Sequence, residues 1–216
     1  MFKKIIAVSA FGVSALAMMT ANATTNGIYV TGQAGYAKTH MKNRLSFDPA
    51  FPGSKSMPNG GIAGRFAIGY QFNPNLAVEL GYLQLSTLKA TTPNIVIHGA
   101  WYQPGSITLK QNAIDVAAKG ILPINDKFNV YGKLGVAYLT SEAAYLNERT
   151  GNNDNYGNDL GVAKHQWAPE AGIGLSFNIT PNAFIDTSWT HIQPIGGKNK
   201  PGNIDFAAVG IGYSFG

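Results

Sequence analysis

The sequence predicts an all-β protein, an eight-stranded antiparallel up-and-down β-barrel that spans a membrane. Three observations predict it: apolar and small or polar residues alternate with a period of two, short turns alternate with long polar segments, and aromatic residues recur beside both kinds of connection. In a membrane barrel only every second strand residue meets lipid. A hydrophobic content of 45% is therefore compatible with this fold.

The first residues have the pattern of a secretory signal peptide. A positively charged head precedes an apolar stretch from Ile5 to Met19, and Ala21-Asn22-Ala23 is a small-x-small cleavage site. The apolar stretch is shorter than the ~20 residues that a membrane-spanning helix needs. We therefore expect residues 1–23 to be a cleaved signal peptide and residues 24–216 to be the outer-membrane β-barrel domain.

The composition excludes several function classes. Cysteine is absent, so disulfides, thiolate nucleophiles and Cys-ligated metals are not available. The net charge of +5 includes two lysines of the predicted signal peptide. Because the mature domain is then only mildly basic, we expect no nucleic-acid partner. We also expect no cofactor and no metal site.

The alternation is clearest near the C-terminus. Large apolar residues on one face and small residues on the other are typical of a strand between lipid and a narrow lumen. The outward set of the last strand is Ala207, Val209, Ile211, Tyr213 and Phe215. The same parity recurs over residues 66–72, 114–118, 128–136 and 171–177. Gly32, Gly132 and Thr187 break the rule, because they fall on the predicted lipid face.

Connections of two lengths alternate along the chain. Tight turns with Pro and Asn, which favour turn dihedrals, lie at residues 73–75, 123–127 and 180–182. Long polar segments lie at residues 39–61, 91–106, 147–164 and 194–203. Three short turns and four long segments connect eight strands. Short periplasmic turns and long outer loops are the outer-membrane arrangement, and an even strand number places both termini in the periplasm.

Aromatic residues mark both membrane interfaces. Those beside the short turns or the C-terminus are Phe72, Phe128, Phe177 and Phe215, and those near the long loops are Tyr36, Tyr138, Trp167 and Trp189. Two such girdles are expected of a membrane barrel. A soluble β-sandwich also has alternating strands, but it does not explain the girdles or the alternation of turn lengths.

Four stretches resemble the OmpA-like transmembrane domain family in order and spacing. They are Ala63 to Tyr82, Ala118 to Leu134, Pro169 to Pro181 and Val209 to Gly216. The resemblance covers essentially the whole predicted mature chain. It implies structural and adhesive roles, with a closing strand that the barrel-assembly machinery recognises during insertion. Many family members continue into a peptidoglycan-binding domain; since this sequence ends at Gly216, we expect neither that domain nor cell-wall anchoring through it.

Seven charged residues fall on the predicted lumen face, in a tier nearer the short turns (Glu79, Lys119, Lys133 and Asp186) and a tier farther from them (Arg65, Asp115 and Glu170). The family tends to fill its lumen with paired carboxylates and bases. Glu79, Lys119 and Lys133 match three of its positions, whereas Ser176 stands at a fourth and Asp186 stands where a base is usual. Because unpaired charge in a narrow lumen is costly, we expect mutual pairing within two tiers.

A pore is the alternative function. The interior of an eight-stranded barrel is just wide enough for its own side chains, so we expect no permanently wide pore. A narrow or gated porin for small solutes, opened by shifting Glu79–Lys119 or Glu79–Lys133 pairs, is the alternative hypothesis.

An outer-membrane lipid-modifying enzyme is the third hypothesis. A hydrolytic site needs a base near a nucleophile and a group that orients the base. The four histidines are His40, His98, His165 and His191, and none stands in a His-x-Ser or comparable pairing. We therefore expect no enzyme.

The first long loop carries basic residues among apolar ones. Its candidate binding residues are Lys38, Lys42, Arg44 and Lys55. Such a loop is suited to binding lipopolysaccharide phosphates or an acidic host-cell ligand, and a solvated loop without a ligand is the alternative.

We expect an integral barrel that supports the outer membrane and presents loops for adhesion or ligand contact. The expected partners are outer-membrane lipids and lipopolysaccharide, the barrel-assembly machinery, and a host-cell surface ligand.

Overall fold

The segments in which apolar residues alternate with small or polar ones fold into a β-sheet. The computed structural model describes residues 26–40, 58–92, 95–97, 100–102, 105–147, 153–154, 165–196 and 200–215. Among these residues there is no helix long and apolar enough to cross a membrane.

Eight antiparallel strands form a closed barrel. They are β1 (Gly27–Thr39), β2 (Gly60–Asn73), β3 (Leu76–Leu85), β4 (Gly105–Pro123), β5 (Phe128–Asn147), β6 (His165–Asn178), β7 (Ala183–Ile192) and β8 (Ile204–Ser214). Each strand pairs with the next along the chain, and β8 pairs back with β1. Closure leaves no strand edge unpaired in lipid. The predicted eight-stranded up-and-down barrel is confirmed.

Short strands extend one side of the barrel at the end of the long connections. Leu88–Thr92 pairs with the start of β4, and Asn153–Asp154 pairs with the end of β5. Ile95–Ile97 and Ala100–Tyr102 form a separate two-stranded hairpin. The wall of the barrel is therefore highest at β4 and β5, where β5 has 20 residues against 10 in β7.

The three predicted short turns are present at residues 74–75, 124–127 and 179–182. Each is closed by a side chain that accepts a backbone hydrogen bond. Asn73 Oδ1 accepts from Asn75 N at 2.8 Å, Asn125 Oδ1 accepts from Phe128 N at 2.9 Å, and Thr180 Oγ1 accepts from Ala183 N at 2.9 Å. These contacts fix the periplasmic ends of the strand pairs.

The two faces of the wall differ as the alternation predicts. Large apolar residues point outward, and Ile68, Leu134 and Ile211 are 48%, 66% and 71% exposed in the absence of lipid. Two of the exceptions have physical reasons. A Cβ at Gly32 would meet nothing within 4 Å, so this position is a gap in the lipid face. Thr187 satisfies its hydroxyl by donating to the Leu175 carbonyl at 3.3 Å.

Aromatic rings pair at both ends of the wall. Near the short turns, the rings of Phe128 and Phe177 are 4.7 Å apart. Near the long connections, the rings of Tyr138 and Trp167 are 5.0 Å apart. Rings at these two heights agree with the predicted girdles at the membrane interfaces.

Candidate functional site

Glu79 is the centre of a buried ionic cluster inside the barrel. Its carboxylate is 3% exposed. Glu79 Oε1 accepts hydrogen bonds from Tyr29 OH at 2.9 Å and from Lys119 Nζ at 3.1 Å. Glu79 Oε2 lies 3.4 Å from Arg65 Nη1 and 3.8 Å from Lys133 Nζ. Three cations thus share one carboxylate, which makes Glu79 the residue on which the cluster depends.

Arg65 connects Glu79 to a second carboxylate. Its Nη2 donates to Asp115 Oδ1 at 2.5 Å and its Nε donates to Asp115 Oδ2 at 3.3 Å. The planar guanidinium provides this two-point contact and still reaches Glu79 with its remaining hydrogens. We call Arg65, Glu79, Asp115, Lys119 and Lys133 the Glu79 cluster.

The structure differs here from the predicted separation into two tiers. Residue spacing assigned Arg65 and Asp115 to the upper tier and Glu79 to the lower one, yet the Arg65 side chain spans both. The physical reason is reach, since Arg has a long flexible side chain and the strands are tilted. Five of the seven predicted lumen residues therefore form one connected cluster.

Asp186 lies outside the Glu79 cluster. It is 1% exposed, and no described cation lies within 4.0 Å of it. Tyr131 OH donates to Asp186 Oδ1 at 2.9 Å, and Gln33 Nε2 donates to the same oxygen. Asp186 Oδ2 has no hydrogen-bond partner among the described residues. Asp186, which stands where the family resemblance implies a base, is thus held by neutral donors.

Glu170 is the seventh lumen charge, and it is also poorly satisfied. It is 4% exposed, and its Oε1 atom has no hydrogen-bond partner among the described residues. Its register neighbours are Gly135 on β5 and Ile192 on β7, neither of which carries a polar side chain. Mutual pairing therefore does not extend to Glu170 or to Asp186.

Two tyrosines complete the cluster, and the charge-based reading of the lumen missed them. Lys119 Nζ lies 3.9 Å from the centroid of the Tyr131 ring and 5.4 Å from that of Tyr29. A cation over an aromatic ring is stabilised by the ring quadrupole. Tyr29 and Tyr131 share the lumen-facing parity of their strands, so the period of two could have identified them.

Glycines make room for these large side chains. A Cβ at Gly81 would lie 2.7 Å from Asp115 Oδ1, in the space of the Arg65–Asp115 pair. A Cβ at Gly174 would collide with the Tyr131 ring and lie 2.6 Å from the Thr187 carbonyl oxygen. Small lumen residues on one strand thus fit large residues on another.

The outer rim carries one of the predicted loop residues. Lys38 is exposed at the end of β1, opposite Asp205 of β8 in the strand register. Lys42, Arg44 and Lys55 lie outside the described residues.

The described histidines contact neighbours at this rim. His191 Nδ1 lies 2.7 Å from Asp205 Oδ1, and His40 Nδ1 lies 3.6 Å from Asp205 Oδ2. The His165 ring stacks on Tyr138, and its Nδ1 is 3.4 Å from Thr140 Oγ1. His98 lies outside the described part of the chain.

Known proteins are similar to this chain in sequence or in fold. An uncharacterised protein of Coxiella burnetii is 28% identical over 253 residues, with 100% of both chains covered. Outer membrane protein P5 of Haemophilus influenzae is 25% identical over 234 residues; the match takes in 100% of this chain but 61% of P5, so this chain spans about three fifths of that relative. The crystal structure of Neisserial surface protein A has a TM-score of 0.54 at 18% identity, with 88% of this chain and 97% of that chain covered, and supports the fold alone.

The family assignment rests on the length of the match. The OmpA-like transmembrane domain matches residues 23–216, which include all eight strands and the Glu79 cluster. The chain is thus an outer-membrane β-barrel, and it belongs to the OmpA-like transmembrane domain family.

Proposed function

We propose that this protein is a non-enzymatic barrel that supports the outer membrane and presents its outer connections for adhesion or ligand contact. The observation that carries the proposal is the difference between the two barrel ends. Residues 74–75, 124–127 and 179–182 close one end in tight turns, whereas residues 40–59, 86–104, 148–164 and 193–203 connect the strands at the other. Ligand-binding residues concentrate in long connections held by a rigid scaffold.

The wall itself supports the membrane role. Its outward residues form an apolar band between two aromatic girdles, which suits direct contact with outer-membrane lipids. We propose that residues 1–23 are removed on export and that the barrel-assembly machinery inserts the remaining chain. Mass spectrometry of the membrane-inserted protein should find Thr24 as the first residue; a retained Met1 would contradict cleavage.

The described histidines support a non-enzymatic role. His191 is bonded to Asp205 and to Gln193, and its ring contacts no described hydroxyl nucleophile. His165 does face the Thr140 hydroxyl, but at 3.4 Å on the exposed rim, with a ring-stacking neighbour and no described carboxylate to orient it. A base and an orienting group for one nucleophile are therefore not assembled within the described residues.

The loop function is tested on the surface of a non-adherent Gram-negative strain. In one variant a short Gly-Ser linker replaces residues 40–59, and in a second Lys38, Lys42, Arg44 and Lys55 are all changed to Gln. Lys127→Gln, in an exposed turn at the opposite end, is the matched charge control. Heat-modifiable gel migration verifies that each barrel is folded.

Adherence to host cells and binding of lipopolysaccharide are then measured. We expect folded loop variants to lose adherence or lipopolysaccharide binding, while Lys127→Gln retains both. Equal binding by the original protein and both loop variants would contradict a binding role for this loop. For the membrane role, a strain lacking the protein should become sensitive to detergent, and the linker variant should restore resistance.

A further inference from the structure

The lumen beyond the Glu79 cluster, toward the long connections, holds a layer of apolar side chains that pack on one another, bordered by buried polar residues such as Glu170 and Gln111. We call this layer the apolar plug. Its large members are Leu83, Leu85, Leu139, Ile192, Ile204 and Phe206, each 6% exposed or less. Buried alanines complete it on the strands that carry no large member. Each of the eight strands contributes at least one residue to the plug.

The plug is the layer directly next to the ionic cluster. On β3, Leu83 follows Glu79 on the lumen face with only Gly81 between them, and Leu83 is the register partner of Arg65 on β2. On β5, Ala137 is the register partner of Asp115, and Leu139 is the next lumen residue. An ion passing the cluster would therefore meet the plug next.

The other side of the cluster is open. A cavity of about 290 Å³ lies at the short-turn end, and Lys119, Asn129, Ser176 and Phe184 are among its lining residues. We call this cavity the periplasmic vestibule. The vestibule reaches Lys119 of the Glu79 cluster, and the plug lies between the cluster and the outer surface.

The two layers resist ions in different ways. Ion pairs can exchange partners, and the Glu79 carboxylate already has three cations within reach. An apolar layer offers an ion no replacement for its hydration shell, and apolar constrictions exclude water as well. Close-packed side chains also leave few gaps larger than a water molecule. Re-pairing of Glu79 therefore leaves the plug intact.

We propose that the apolar plug, and not the Glu79 ion pairs, is the barrier across the lumen. The barrel is then a non-conducting wall with a blind vestibule on its periplasmic side. This replaces the gate suggested by the charge pattern alone. It is independent of the loop function, because a barrel without adhesive loops could still be sealed in this way.

The first test uses the absence of native cysteine, so that one introduced thiol is the only reactive group. Ser176→Cys places a thiol in the vestibule and Ala137→Cys places one in the plug. Proteoliposomes are treated with a membrane-impermeant maleimide. We expect labelling of the Ser176→Cys variant and no labelling of the Ala137→Cys variant. The Ala137→Cys thiol should remain unlabelled when Glu79→Ala is introduced into the same protein. Labelling of Ala137→Cys in the Glu79→Ala background would overturn the proposal.

Opening the plug provides the positive control. Leu139→Ala with Phe206→Ala should expose Ala137→Cys to the reagent. Planar-bilayer recordings then compare the original barrel, Glu79→Ala, and Glu79→Ala combined with the two plug substitutions. We expect conductance from the combined variant only. Conductance from Glu79→Ala with an intact plug, or silence of a combined variant that migrates as a folded barrel, would each overturn the assignment. Should Glu79→Ala not fold, Glu79→Gln replaces it in both assays.

Discussion

The main clusters in the two halves of the lumen, one ionic and one apolar, are stabilised in different ways. In the half toward the periplasm, the buried Glu79 holds the buried Arg65, Lys119 and Lys133. In the outer half, Leu139 and Phe206 pack with apolar neighbours, and both are 1% exposed or less. The first half depends on charge balance, whereas the second depends on shape and volume.

The comparison teaches that stability and closure are separate properties of this barrel. Breaking an ion pair leaves an uncompensated buried charge, which is strongly destabilising without opening a path. Removing apolar volume leaves a cavity, which destabilises and can also admit water. Substitutions in the ionic half should therefore lower stability without opening the lumen, whereas substitutions in the apolar half should lower stability and can also admit water.

The largest effect is expected from Glu79→Gln. Three buried cations would lose their shared carboxylate, and we expect the free energy of unfolding to fall by about 3–5 kcal/mol. Urea titration in lipid vesicles, followed by tryptophan fluorescence, measures it. Asp126→Asn makes the same chemical change on an exposed turn and should stay within about 0.5 kcal/mol. Equal costs for the two variants would show that the cluster does not stabilise the fold.

The second-largest loss in the free energy of unfolding is expected from Leu139→Ala. Loss of a fully buried Leu costs about 2–5 kcal/mol, part of it from the cavity that remains. Leu134→Ala is a matched control on the same strand, since Leu134 is 66% exposed to lipid and Leu139 is 0% exposed. Fluid lipid fills the space at Leu134, so Leu139→Ala should cost more by about 1–3 kcal/mol, the cavity contribution. The same urea titration decides; a larger cost at Leu134 would exclude a packed plug.

Tyr131→Phe tests the boundary of the ionic half with a smaller change. The ring that stacks under Lys119 stays, but Asp186 loses the hydroxyl that donates to it at 2.9 Å. A hydrogen bond to a charged group is worth about 1.5–3 kcal/mol, so the free energy of unfolding should fall by that amount. Tyr82→Phe removes an exposed hydroxyl bonded to Gln84 and should have almost no effect. A similar loss in both variants would mean that Asp186 does not depend on Tyr131.

Much of the fold could be predicted from the sequence because its signals are local. The period of two, the Asn and Thr side chains that close the turns, and the aromatic positions all act within a few residues. The strand number and the closed barrel followed from them. The apolar residues Ile95-Val96-Ile97 and Trp101-Tyr102 predict strand structure beyond the membrane after β3, and Ile95–Ile97 pairs there with Ala100–Tyr102. The short strand Asn153–Asp154 after β5 was not predicted, because pairing beyond the membrane does not require an alternating pattern.

The candidate site was predicted less completely, since side-chain reach and partners are not local. Parity placed Arg65 and Glu79 inside the barrel, but it could not show that one guanidinium spans the two predicted tiers. The predicted lumen network included only the charged residues on the lumen face, and it therefore left out Tyr29 and Tyr131. The plug was missed for a different reason: Leu139 and Phe206 are as apolar as lipid-facing residues, so composition does not tell the two faces apart.

The smallest expected effect is that of salt on the loss of unfolding free energy caused by Glu79→Gln. If the plug seals the outer half, the cluster is reached only through the narrow vestibule, and buried pairs are screened far less than exposed ones. We expect the difference between the original protein and Glu79→Gln to change by less than about 0.5 kcal/mol between 0.1 M and 1 M salt, since only charges in contact with bulk electrolyte are screened over such short lengths. Urea titrations at both salt concentrations measure this double difference. Loss of most of the Glu79→Gln cost at high salt would mean that electrolyte penetrates the cluster, and the ionic half would then be the wall of a wet channel.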